Sequence, residues 1–272
     1  MSKYLKQRLR QYIFIIFTAT ILLTISFSKA FPQENIFTVE EVEIKGLIEK
    51  NFNRDNYINR ALRKSFKMLM SKILVSSDLT KIKNIKTKDI KYLINSFQVL
   101  DEDYYEGKYE IKFKIFFNEK KIKDMLIKKR ISYSQSKKIT VVIIPALFIE
   151  NEIKNFQENY FYREWSKGTK NELIEFILPL EDLEDLSRIE KMKNTIDDVS
   201  IKQIASNYNE ENYVFLFINF ESGVLKVHVK TLLEGSKINK NLSYKIVSLD
   251  DEEKLTYIVT DLKIEIEDIW KE

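Results

Sequence analysis

Apolar residues along this chain follow several distinct spacings, and each predicts a different element. From residue 12 to residue 27 they are almost continuous, after a head that carries Lys3, Lys6, Arg8 and Arg10 and no acid. Between residues 56 and 74 they recur every three or four positions, at Ile58, Leu62, Phe66 or Ser65, Leu69 and Ile73. That spacing is one face of a helix. Arg60, Arg63, Lys64 and Lys67 cover much of the other, read here as a solvated face in preference to a partner-binding or lipid-facing one. Over residues 108–117 they alternate: Tyr109, Ile111, Phe113, Ile115 and Phe117 against Lys108, Glu110, Lys112 and Lys114. Alternation of that kind is a strand with one buried and one wet face. Residues 139–147 (ITVVIIPAL) and 213–220 (YVFLFINF) are short continuous apolar runs. Such runs predict strands covered on both faces, read as the centre of a largely parallel sheet.

The remaining elements fill in around these. Residues 37–48 predict a strand with a bulge near Glu40-Glu41, where alternation slips. Thr87 is placed to cap a helix through residue 95. Residues 97–105 turn at Glu106-Gly107 into the alternating strand, Asn118 caps a helix to residue 129, and residues 131–133 add a short strand. Helices are expected over residues 155–167, 181–188, 200–208 and 251–271, the last opened by Asp250 and Glu253 in a capping-box pattern. Strands are expected over residues 225–229 and 241–248. The fold class is therefore α+β in two domains: an antiparallel α+β domain at 35–134, then an α/β domain at 138–272 with a mostly parallel central sheet.

Charge changes the picture only once the leader is set aside. A basic head, an apolar middle of about 16 residues and the small-x-small end Ser28-Lys29-Ala30 have the three parts of a secretory signal, cut before Phe31. The expectation is a periplasmic body. The alternative is an uncleaved inner-membrane anchor at residues 12–28, which would be the only membrane contact and leaves the body on the same side. Residues 1–30 hold five of the 45 cations and none of the 41 acids. The rest of the chain thus has 40 cations against 41 acids, which argues against a nucleic-acid partner. Cysteine is absent, so neither a lipoprotein anchor nor a disulfide can form.

One resemblance is carried by motif order. FTVEEVEIKGLIE, the helix after it, FFNEKKIKDMLIKKRISY, VVIIPAL, Trp165 and LPLEDLEDL follow one another through residues 35–190. This resembles the bacterial envelope family filed as domain of unknown function two-thousand-sixty-six, with Glu181 where that family often has Gly. The resemblance implies an envelope location and no catalytic signature. At the level of fold, the second half is also similar to the α/β N-terminal domain of the periplasmic translocation protein TolB and to the curli secretion protein CsgG. That implies no activity.

Little in the chain carries chemistry. The single histidine, His228, stands between Lys226 and Lys230 on one strand face, a setting that offers no carboxylate orienter. The acid clusters at 101–103, 181–185, 197–198 and 250–253 lack the spacing and the turn glycine of a calcium loop, and capping accounts for most of them. Gly46, Gly107, Gly168, Gly223 and Gly235 are scattered, with Gly107 and Gly223 placed as hairpin turns, and no phosphate-binding or dinucleotide fingerprint is present. No catalytic residue, cofactor or metal is assigned. Candidate partner or ligand contacts are Tyr162 and Trp165 on an aromatic-rich helix, and Pro145 and Phe148 after the first apolar run. The expected function is a non-enzymatic periplasmic interaction or assembly factor with an envelope protein partner. The alternative is a small-ligand-binding or enzymatic domain. Its crevice would lie outside the carboxyl ends of the parallel strands, between Pro145 and Phe148 and between Asn219 and Glu221.

Overall fold

The computed structural model describes residues 35–272, except 49, 51, 136, 168–172 and 181. The leader expected at residues 1–30 lies outside the described residues. Ile36–Glu272 clusters as one unit by its internal contacts. Two sheets are built within it, each with apolar cores of its own.

The first sheet has strands β1 (Thr38–Leu47), β2 (Ile94–Tyr105) and β3 (Lys108–Phe117), in the order β1-β3-β2, all antiparallel. The expected bulge sits between Val39 and Val42, where Glu41 takes a φ of 52°. Helices α1 (Arg54–Ile73), α2 (Ser76–Ile82), α3 (Thr87–Leu93) and α4 (Glu119–Lys128) share one core with this sheet. The alternation in β3 decides which face meets them: Tyr109, Ile111, Phe113, Ile115 and Phe117 are all buried. The opposite face carries ion pairs such as Lys45–Glu110 at 3.0 Å. Two expectations fail here. Thr87 is the first residue of α3 and not its cap, because its hydroxyl is taken by Arg63 Nε at 2.6 Å. Residues 131–133 form no strand; Ile131 is buried in the core without a strand partner.

Edge strand β1 explains the basic face of α1. In an antiparallel strand every second carbonyl points away from its partner, here those of Glu43, Lys45 and Leu47. Tyr57, Arg60 and Lys64 lie at successive turns of α1, on one helix face. Their side chains donate to Leu47 O at 3.0 Å, Lys45 O at 3.3 Å and Glu43 O at 2.9 Å. A bare edge is a template for pairing with another chain, and this one is occupied by its own helix.

The second sheet contains β4 (Ile139–Ile149), β5 (Glu152–Ile153), β6 (Ile174–Ile177), β7 (Tyr213–Glu221), β8 (Val224–Leu233) and β9 (Ser236–Lys245). Its main path is β5-β4-β7-β8-β9, with β6 also on β4. Both apolar runs are central strands, as expected. Val141, Ile143 and Leu147 face one core with α5 (Tyr160–Ser166) and α8 (Glu252–Lys271); Val142, Ile144 and Phe148 face another with α6 (Leu183–Lys191) and α7 (Asp198–Ser206). The layers are helix, sheet, helix.

The sheet is not mostly parallel. Only β4–β6 and β4–β7 are parallel, while β4–β5, β7–β8 and β8–β9 are antiparallel. Continuous apolar runs report burial on both faces, whereas direction follows the length of the connection. Two-residue turns at Ser222-Gly223 and Glu234-Gly235, with φ positive at every position, force antiparallel neighbours. Within the described residues β9 starts at Ser236 instead of residue 241, and Asp251 instead of Asp250 caps α8.

Candidate functional site

Parallel pairing of β4 with β7 brings two hairpins side by side. Ile149 stands opposite Phe220, so both strands end together. Each then reverses through a two-residue turn: Glu150-Asn151 with φ of 49° and 76°, and Ser222-Gly223 with φ of 51° and 76°. Positive φ at both positions is the turn that matches strand twist. Glycine supplies it cheaply in the second turn; asparagine, the best tolerated of the other residues there, supplies it in the first.

Between the two tips lies a crevice of about 440 Å³, lined by residues 149–151 on one hairpin and 219–222 on the other. Its lining residues include Glu150, Glu221, Asn151 and Asn219, and no cation. Carboxylates accept hydrogen bonds and donate none when ionised, while amides do both. The crevice is therefore shaped and charged for a cationic or hydrogen-bond-donating group.

The strand that carries it is fixed from beneath. On the side of β4 away from β7, β6 covers residues 139–142 and β5 covers 148–149, leaving the middle without a strand. Pro145 sits in that gap. Its carbonyl faces the gap and so does its ring nitrogen, which has no hydrogen to leave unpaired. Asn159 fills the space: its Nδ2 donates to Pro145 O at 2.6 Å, and its Oδ1 accepts from Tyr162 N at 3.3 Å as the cap of α5. Asn159 is fully buried, and one side chain satisfies strand and helix together.

The residues singled out from sequence fall around this frame. Pro145, Phe148 and Trp165 are buried, Phe148 stacked on Phe217 at 4.7 Å and Trp165 in the α5–α8 core. They support the site and present no surface. Tyr162 is half-buried, stacked on Phe156 at 4.6 Å, with its hydroxyl donating to Pro179 O at 2.8 Å. Asn219 and Glu221, named for the alternative ligand crevice, lie in the lining of this one, and residues 145–148 do not. Glu150 and Asn151 were missed, because an Asn in place of Gly hides the first turn; Ser222 was not singled out although the Gly223 hairpin was expected. His228 lies opposite Asn241, its Nδ1 2.6 Å from Asn241 Oδ1.

Charged clusters elsewhere are structural. Arg54 grips Glu102 with two hydrogen bonds of 2.8 and 2.9 Å, and Tyr109 adds one of 2.5 Å. Arg54 first, then Tyr109, hold the Glu102 carboxyl down at about 2. Lys230 and Lys237 do the same to Asp198, also at about 2. Asp182, Asp197 and Asp251 cap helices. Among the described residues no three His, Asp or Glu side chains converge to hold a metal ion, and no helix is long and apolar enough to cross a membrane. No protein-family model matches the chain, and no curated protein matches it in sequence.

Proposed function

We propose that this chain is an exported envelope protein that works by binding, and that the crevice between the two hairpin tips receives a cationic or hydrogen-bond-donating group of its partner. The basic, apolar and small-x-small leader supports export. The motif order over residues 35–190 supports placing the chain with the envelope family it resembles. The observation that carries the binding reading is the crevice itself: open, lined from both hairpins, with Glu150 and Glu221 unopposed by a lining cation.

Capture from an envelope extract tests the reading. The full chain is expected to retain a discrete partner that the Glu150→Gln/Glu221→Gln double variant loses, with the fold of the variant checked by circular dichroism. Equal capture by both proteins would refute the role given to the crevice. A second reading, a small-ligand site, is favoured by the position of the crevice at the carboxyl ends of two parallel strands, where α/β sheets leave their ligand clefts. Loss of the protein partner on adding a diffusible envelope component would favour it.

A further inference from the structure

A second cavity lies in the helix layer of the first sheet, far in sequence from the hairpin crevice. It measures about 300 Å³ and is bounded by α1, α2, α3 and the turn between the last two. Its floor is apolar: Leu79 and Ile85 are half-buried there, over Phe66, Met70, Ile82 and Ile90, which belong to the core of the first sheet. Arg63, Lys67 and Lys83 also line it, and no acid does. All three cations are exposed. Among the described residues, Arg63 donates from Nε to Thr87 Oγ1. Among the described residues neither Lys67 nor Lys83 is joined to a carboxylate, whereas nearby Lys81 is paired with Asp78 at 2.5 Å.

An apolar cavity ringed by one sign of charge selects an amphiphile of the opposite sign. The apolar wall excludes a free inorganic anion, which would lose its water there without compensation. The cations disfavour a neutral hydrocarbon less than they favour an anion, since long side chains keep their heads in water while the stems extend the apolar wall. At about 30 Å³ for each water-sized group, the volume takes about ten of them, the size of a chain of about eight to ten carbons. The lower end of the size range for small-ligand pockets is about 300 Å³.

We propose that this cavity binds the chain of a medium-length fatty acid, with the carboxylate held at the rim by Arg63, Lys67 and Lys83. The proposal does not rest on export or on the hairpin crevice.

Isothermal titration of the full chain with octanoate, nonanoate and decanoate, each below its micelle-forming concentration, tests it. Saturable one-to-one binding is expected. Each added methylene should tighten it about fourfold, the equivalent of ~0.8 kcal/mol per buried CH₂. Decanol should bind more weakly than decanoate, and acetate should not bind. Lys67→Met/Lys83→Met removes the two charges, keeps the apolar stems, and should weaken decanoate about three- to fivefold, without weakening decanol. Leu79→Trp, which fills the cavity, should abolish binding of both. No saturable binding of decanoate, an affinity independent of chain length, or equal affinity in the lysine variant would each overturn the proposal. So would binding to phosphatidylglycerol vesicles without binding of monomeric decanoate, which would make this face a membrane-docking surface instead.

Discussion

Replacing Asn159 with alanine tests how the second sheet is held. Asn159 is fully buried and its side chain makes two bonds, to Pro145 O at 2.6 Å and from Tyr162 N at 3.3 Å. Losing a helix cap costs about 1 kcal/mol. Stranding a buried carbonyl costs about 1–3 kcal/mol more. The expected destabilisation is therefore about 2–4 kcal/mol. For a chain of this size each kcal/mol lowers Tm by about 2–4 °C, so Asn159→Ala should melt about 4–16 °C below the parent, with a lower urea midpoint and an unchanged slope. Asn159→Asp keeps the cap acceptor and loses the donor to Pro145. It should recover none of the loss, because a carboxylate then faces a carbonyl in a buried gap. An Asn159→Ala protein within about 0.5 kcal/mol of the parent would refute the reasoning. It would mean that the Pro145 carbonyl finds another donor and that the gap between β5 and β6 is not closed by this residue.

Further outcomes are expected elsewhere. Glu102, held at about 2 against an ordinary value of 4.5, stabilises the fold above that ordinary value and loses the contribution as pH falls through about 2. Urea titrations should thus show Glu102→Gln less stable by about 1 kcal/mol at pH 7, a figure reduced for solvent screening of a partly exposed pair, and the gap should close between about pH 4.5 and 2. Gly46→Ala would set a Cβ 2.5 Å from the hydroxyl of Tyr57, a buried ring tied to Leu47 O; overpacking of that kind costs about 1–3 kcal/mol, read as a lower urea midpoint. Arg60→Ala/Lys64→Ala should uncover the carbonyls of Lys45 and Glu43, and sedimentation velocity should then show concentration-dependent self-association that the parent lacks.

What could be read in advance follows from what each pattern measures. Spacing reports burial, so the helix at α1, the half-wet strand β3 and the doubly covered strands β4 and β7 were legible. Direction is not a property of a strand's own residues, and the parallel reading of the second sheet failed for that reason. The glycine at Gly223 already implied a hairpin, and weighing the two-residue connection above the apolar run would have corrected the sheet. The turn at Glu150-Asn151 had no such marker, so the hairpin that forms one wall of the crevice went unseen. Trp165 and Phe148 show the converse: an aromatic residue suits a binding surface and a core equally in sequence, and only packing decides. Nor could spacing show that Arg60 and Lys64 of α1 reach the edge of β1, because that contact joins residues 15 and 21 positions apart.

The central claim, a partner received in the envelope between the two hairpin tips, is tested most directly by photo-cross-linking in cells. A photoreactive phenylalanine analogue at Asn151, in the full chain, should give one discrete adduct in the envelope fraction, lost when Glu150 and Glu221 become glutamine. An adduct confined to the cytosol, or one indifferent to those two substitutions, would contradict it.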